Sequence, residues 1–258
     1  MIHGNPTWSF YYRELVKALS PQFRTIVPDH LGCGFSDKPD SSLYGYSLVD
    51  RVNDIEFLID KLKLKGKINL IAHDWGGMIG MAYALKYRKK IGRIIILNTA
   101  AFLPPEGKRL PFRLWIIRKM KSLAPFFVQR LNLFAISALY MATAKGLNKN
   151  VKAGLIAPYN SPGNRTAILK FVEDIPLCGS HKSYGLIKEV DNNLYKLKDI
   201  PMMICWGKKD FVFDDDYLSQ WRYRFPKAKV REFPQAGHYI LEDVPELIIP
   251  LIKKFLEK

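Results

Sequence analysis

Short continuous apolar runs alternate with amphipathic segments along the first hundred residues. FRTIVPDH (23–30), KINLIA (67–72) and GRIIILNTA (92–100) lack a polar face, which predicts buried strands. LVDRVNDIEFLIDKLKL (48–64) and GGMIGMAYALKYRKK (76–90) repeat apolar residues at helical spacing and predict helices between them. The rhythm returns near the end, with strands at PMMICWG (201–207) and AKVREF (228–233). Helices are expected at DYLSQWRYRF (216–225) and PELIIPLIKKFLEK (245–258). Strand–helix–strand alternation with uninterrupted strands predicts an α/β fold, a mostly parallel sheet flanked by helices.

Between the two strand-bearing parts the rhythm breaks. Residues 102–195 are rich in helical patterning and proline and contain no run like IIIL. The expected division is a core α/β part over 1–101, an inserted helical cap over 102–195 and a second core part over 196–258. A chain of 258 residues is long enough for one such domain with a sizeable core.

Charge changes the picture of possible partners. Lysine and arginine number 40 against 24 aspartates and glutamates, a formal net charge of +16. Such an excess suits nucleic acid, anionic membrane or an acidic protein. No zinc-finger spacing, RNP-type aromatic motif or helix-turn-helix pattern accompanies it, so no nucleic-acid partner is expected. The densest basic and apolar stretch is KRLPFRLWIIRKMKSLAPFFVQRL (108–131). It leaves membrane-surface association open, but is expected to be a helix whose apolar face covers its own domain. No apolar run reaches the ~18–20 residues that span a bilayer. The start, MIHGNPTW, lacks the basic and apolar blocks of a secretory leader. Three scattered cysteines without metal-ligand spacing predict reduced thiols, no metal and a cytoplasmic location.

In a parallel sheet, functional groups collect at the carboxyl ends of strands. Four polar segments fall there: His3-Gly4-Asn5-Pro6-Thr7, Ala72-His73-Asp74-Trp75-Gly76, Trp206-Gly207-Lys208-Lys209-Asp210 and Ala236-Gly237-His238. The second fits the nucleophile elbow G-x-S-x-G, with Asp74 in the serine position and Ala72 for the first glycine. An aspartate before a helix is often only an N-cap. Here two glycines follow soon after, and an acid and a histidine come later in the order nucleophile, acid, histidine. Asp74 is therefore the candidate nucleophile, ionised at a helix N-terminus, and His238 the candidate base. Asp210 is the candidate acid that orients His238. Asp214, Asp215 and Asp216 compete with it, but they read as the cap of the next helix and lie farther from PMMICWG. Backbone N–H groups of the His3–Asn5 segment and of Trp75, with the Asn5 amide and the Trp75 indole, could hold an anion.

The carboxylate has a chemical consequence. Attack on an sp³ carbon gives an alkyl ester, which activated water can cleave at the acyl carbon, whereas serine would leave an ether. The expected leaving groups are halide, epoxide oxygen or strained lactone oxygen.

These residues resemble the α/β-hydrolase superfamily, in its aspartate-nucleophile branch of haloalkane dehalogenases and epoxide hydrolases. The similarity is carried by HGNPTW (3–8), PDHLGCGFSDKP (28–39), HDWGG (73–77), NTAAF (98–102) and AGHYILED (236–243). Asn5 stands where epoxide hydrolases usually carry an aromatic residue. The tyrosines with which those enzymes protonate an epoxide have only generic cap counterparts in Tyr140, Tyr159 and Tyr184. APYNSPGNR (157–165), FVEDIPL (171–177) and WGKKDFVF (206–213) are most similar to the third dehalogenase subfamily. That subfamily includes the β-lactone decarboxylases of bacterial long-chain olefin biosynthesis.

The resemblance implies an α/β-hydrolase fold and a cofactor-free conversion of a cis-3,4-dialkyl β-lactone to a cis-alkene and CO₂. It also implies a multienzyme assembly with lactone-forming enzymes. Asp74 would be the nucleophile, His238 the base or acid, Asp210 its orienting acid, and Asn5 and Trp75 the anion-binding pair. An apolar tunnel for the alkyl arms would be lined by Phe102, Phe126, Phe127, Phe134 and Phe171. Family members carry two strands and most of a third before HGNPT, so an N-terminally truncated fold is expected, with fewer backbone partners beside the anion hole. The alternatives are hydrolysis of haloalkanes to alcohol and halide, and a truncated, inactive fold that only binds.

Overall fold

The computed structural model describes residues 1–105, 107–108, 111–120 and 122–257, without the side chain of Arg113. Two helices, α1 (Arg13–Leu19) and α2 (Leu48–Lys61), precede the first strand, and Ser47 and Asp50 close α2 with a reciprocal capping box. Strand β1 (Ile68–His73) leads into α3 (Trp75–Lys86), and β2 (Ile91–Leu97) follows. Five helices come next: α4 (Phe112–Lys119), α5 (Leu133–Met141), α6 (Lys149–Ile156), α7 (Thr166–Glu173) and α8 (Tyr184–Asn193). Among the described residues no strand interrupts them. Then β3 (Met202–Gly207), α9 (Asp215–Arg224), β4 (Lys229–Phe233), α10 (Ile240–Asp243) and α11 (Pro245–Leu256) complete the fold.

The four strands are parallel in the order β1-β2-β3-β4. The IIIL run explains β2. Ile94 and Ile96 pack with α3 and α9 on one face of the sheet, and Ile95 and Leu97 pack with α11 on the other. All four are fully buried, each worth about 1.5–3 kcal/mol relative to exposure. Register then places the chemistry. His73 pairs with Leu97 and Leu97 with Cys205, so β1 and β2 end side by side, and β3 ends close by. The residues that follow, Asp74, Asn98 and Lys208–Asp210, emerge at one edge.

Two expectations need correction. FRTIVPDH is not a strand. The sheet edge beside β1 is occupied by Ile2 in a single bridge to Ala72, so residues 23–30 find no ladder to join. What the segment does gain is the Met1 amino group, which donates to Ile26 O at 2.7 Å. Nor does 108–131 form one helix, although Ile117, Ala124 and Val128 within it do pack into the domain; Arg109, Leu110 and Lys121 lie outside the described residues. α4 stops at Lys119, and a π-helical turn (Phe126–Arg130) follows Pro125. The buried side chain among those described in α4 is Arg118, whose Nε donates to Ile175 O at 2.9 Å, while Phe112 and Trp115 are exposed. Among the described residues, no helix is long and apolar enough to cross a membrane.

Candidate active site

Asp74 occupies the turn between β1 and α3 with φ 52° and ψ −128°. A non-glycine residue in that region is strained and is held there by its surroundings. Asp74 N donates to Asn98 O at 3.2 Å, Gly77 N donates to Asp74 O at 3.0 Å, and the Thr99 hydroxyl donates to the same carbonyl. The turn also needs small neighbours. A Cβ on Gly76 would run into the Ile2 carbonyl oxygen, and one on Gly77 into Thr99 Oγ1. Gly76→Ala is expected to destabilise the protein by about 1–3 kcal/mol, read as a lower urea midpoint with an unchanged slope.

The Asp74 carboxylate does not cap α3. Its Oδ1 accepts the Asn5 backbone N–H at 2.7 Å, and its Oδ2 lies 3.6 Å from His238 Nε2. On the other side of the imidazole, His238 Nδ1 donates to Asp210 Oδ2 at 2.7 Å. The structure thus brings together the three side chains that the sequence singled out, from three separate strand ends. Asp214 is instead the N-cap of α9, accepting from Asp216 N, and Asp214 and Asp216 pair with Lys108. Asp215 pairs with Lys208 at 2.6 Å.

Burial opposes charge on His238, but the Asp210 and Asp74 carboxylates on its two sides outweigh it and push its pKa up to about 10. Burial likewise opposes the Asp74 anion, and the His238 bond and charge hold its pKa below the ordinary carboxylate value. Both shifts favour an imidazolium beside the Asp74 carboxylate in the resting site. His73 beneath it is different: burial, with the His238 charge, lowers its pKa to about 3, so it stays neutral. Because the folded value of His238 lies above its ordinary 6.5, its proton contributes stability that is complete below pH 6.5. That contribution is lost as pH rises through about 10. The stability of the parent relative to His238→Gln is expected to shrink across that window in urea titrations.

The candidate anion donors sit beside the carboxylate. In this resting state the Asn5 backbone N–H is given to Asp74 itself, and Asn5 Nδ2 donates to Ile168 O at 3.1 Å. The Trp75 backbone N–H lies in the first turn of α3, where helix geometry supplies no intrahelical acceptor. The Trp75 ring packs on Phe171 at 5.4 Å.

Asn5, Asp74, Trp75 and His238 form the polar end of a cavity of about 740 Å³ whose remaining wall is almost wholly apolar. Of the five expected phenylalanines, Phe102, Phe127 and Phe134 line it. Phe126 points to solvent and Phe171 lies behind Trp75 and against Arg51, so neither belongs to the wall. Phe211 and Phe213, from the loop after Asp210, line it instead. Tyr140, Tyr159 and Tyr184 are absent from the described lining; Tyr159 donates to Thr7 O at 3.4 Å and Tyr140 is exposed. The cavity therefore offers an epoxide oxygen none of the three tyrosines.

Sequence reading assigned no role to Asn98. It is fully buried, its Nδ2 donates to both Gly207 O and Asp210 Oδ2 at 3.0 Å, and its Oδ1 accepts Gly207 N at 2.7 Å. It ties the end of β2 to the end of β3 and fixes the acid loop. The available signal was an amide directly after four buried apolar residues, at the carboxyl end of a strand.

Known proteins share the fold. The α/β-hydrolase fold family matches residues 1–245. A cis-3-alkyl-4-alkyloxetan-2-one decarboxylase of Shewanella oneidensis is 48% identical over 257 residues, covering 99% of this chain and 80% of that protein. The enzyme of the same name from Xanthomonas campestris is 39% identical, covering 100% and 87%. Haloalkane dehalogenase 2 of Mycobacterium tuberculosis is 29% identical, covering 98% and 85%. Among solved structures, the haloalkane dehalogenase DatA of Agrobacterium tumefaciens superposes with a TM-score of 0.87 at 23% identity, covering 99% of this chain and 87% of its own.

Proposed function

The chain belongs to the α/β-hydrolase fold family, and on that footing we propose that it converts a cis-3,4-dialkyl β-lactone to a cis-alkene and CO₂. Asp74 is the nucleophile in this reading. The observation that carries it is a carboxylate, where a hydroxyl would serve ester hydrolysis, at the polar end of a large apolar cavity. The two relatives named as oxetanone decarboxylases, aligned along nearly the whole chain, support it.

Asp74 attacks C4, the ring carbon that bears oxygen. The C4–O bond breaks and its electron pair passes to the lactone oxygen, leaving a free carboxylate on C3. The bond from C3 to that carboxylate then breaks, its electrons form the C3=C4 double bond, and Asp74 departs from C4 as a carboxylate. CO₂ and alkene are the only products, so the balance requires no cofactor, water or net proton. Inversion at C4 followed by anti departure leaves the alkyl arms cis, as they were in the ring. The imidazolium of His238, held by Asp210, stabilises the carboxylate as it forms, and Trp75 N–H and the Asn5 segment assist.

The proposed setting is the cytoplasm, supported by the free state of Cys33, Cys178 and Cys205. A substrate this apolar also favours hand-over within an assembly of lactone-forming enzymes. The second reading is haloalkane hydrolysis, favoured by the presence of both Asn5 and Trp75 on the cavity wall. Turnover in H₂¹⁸O separates the two. Decarboxylation gives alkene from the lactone with no label in Asp74. Hydrolysis gives a β-hydroxy acid from the lactone, or bromide from a long bromoalkane with ¹⁸O in Asp74, and either as the dominant outcome would contradict the decarboxylase reading.

A further inference from the structure

Ten of the nineteen large apolar side chains that stand exposed among the described residues fall between Phe112 and Tyr140. An exposed cluster of this kind marks a surface that another body covers. Charge is just as uneven. From 107 to 172 the sequence holds twelve lysines and arginines and no aspartate or glutamate, which matches twelve of the sixteen net positive charges. Phe112 and Trp115, 71% and 44% exposed, stack at 6.1 Å on the outside of α4. Leu114 and Ile117 of the same helix line the reactive cavity. Leu123, Phe126 and Leu131 continue the exposed apolar set, with Lys119 and Arg130 exposed among them. An open depression of about 900 Å³ beneath Phe112, Trp115 and Lys119 shares Pro104, Pro176 and Tyr217 with the wall of the reactive cavity.

We infer that this face of α4 and the following turn docks on an anionic lipid bilayer. Phe112 and Trp115 enter the interface, Lys119 and Arg130 meet the headgroup phosphates, and apolar cargo passes between bilayer and cavity without crossing water. A protein partner fits less well, because lysine is depleted in the cores of such interfaces, whereas cations interleaved with Trp, Phe and Leu are the composition of interfacial helices. The inference rests on the proposed lactone chemistry only for the nature of the cargo.

The test is sedimentation of the full chain with vesicles of phosphatidylcholine mixed with phosphatidylglycerol, and with phosphatidylcholine alone, at low and high salt. Binding to the anionic vesicles that weakens with salt is expected. The double variant Phe112→Ser/Trp115→Ser should reduce it by about tenfold or more. Lys119→Glu/Arg130→Glu, which leaves the apolar residues in place, should reduce it and weaken its salt dependence. Both variants should keep the parent's thermal unfolding and its alkene release from a short, water-dispersed lactone, so failure of docking is separable from failure of the chemistry. No sedimentation, equal binding to neutral vesicles, or a folded variant pair that sediments like the parent would overturn the inference.

Discussion

Asp74→Asn is expected to lower alkene release by at least about a thousandfold while leaving the protein folded. The substitution is isosteric, and the amide oxygen can still accept the Asn5 backbone N–H that Oδ1 accepts at 2.7 Å. What is lost is the anion that would bond to C4, together with one of the two charges that hold the proton on His238. The same variant should therefore show a His238 pKa below the parent's value of about 10, measured by NMR of the imidazole. A folded Asp74→Asn protein with near-parent alkene release would remove Asp74 from the proposed mechanism.

Asp210→Asn should rank next, with a fall in activity of about a hundredfold or more. Its two oxygens accept four donors: His238 Nδ1 and Asn98 Nδ2 on Oδ2, and the backbone N–H groups of Val212 and Phe213 on Oδ1. An asparagine has one oxygen, so its NH₂ must face donors on one side or the other. If it turns toward the imidazole, Nδ1 becomes an acceptor and His238 is neutral; if it turns toward the loop, Val212 and Phe213 lose their acceptor. In either case the pH above which activity falls should move down from the region of 10 set by the parent's His238. Asn98→Ala offers a graded comparison, since it removes one donor to Asp210 and leaves the charge. A parent-like pH profile in folded Asp210→Asn would show that the acid does not govern the imidazole.

What could be read from the sequence divides along physical lines. β2 was legible because its residues are buried on both faces, which leaves an apolar run that no exposed element would carry. The candidate triad was legible because each member closes a local pattern: the elbow around Asp74, the loop after PMMICWG, and the glycine before His238. The composition of FRTIVPDH suits a strand, but pairing depends on a neighbour elsewhere in the chain, and among the described residues the edge of β1 away from β2 is bridged by Ile2. The role of Asn98 is hidden in the sequence for a related reason, since the groups that give it meaning, Gly207 and Asp210, are 109 and 112 positions away. Phe126 and Phe171 show the same limit at finer scale. An aromatic residue in a cap helix announces burial or lining, and only the helix orientation decides which. In α4 the pattern holds on one side only: Leu114 and Ile117 line the cavity, while Arg118 is buried and Phe112 and Trp115 face out.

Conversion of a β-lactone into an alkene by attack of Asp74 can be followed by gas chromatography of the products from a synthetic cis-3,4-dialkyl β-lactone, with CO₂ measured in parallel. Equimolar cis-alkene and CO₂ from the parent, and neither above background from Asp74→Asn, is the predicted result. A folded parent that leaves the lactone intact or returns only the β-hydroxy acid would contradict it.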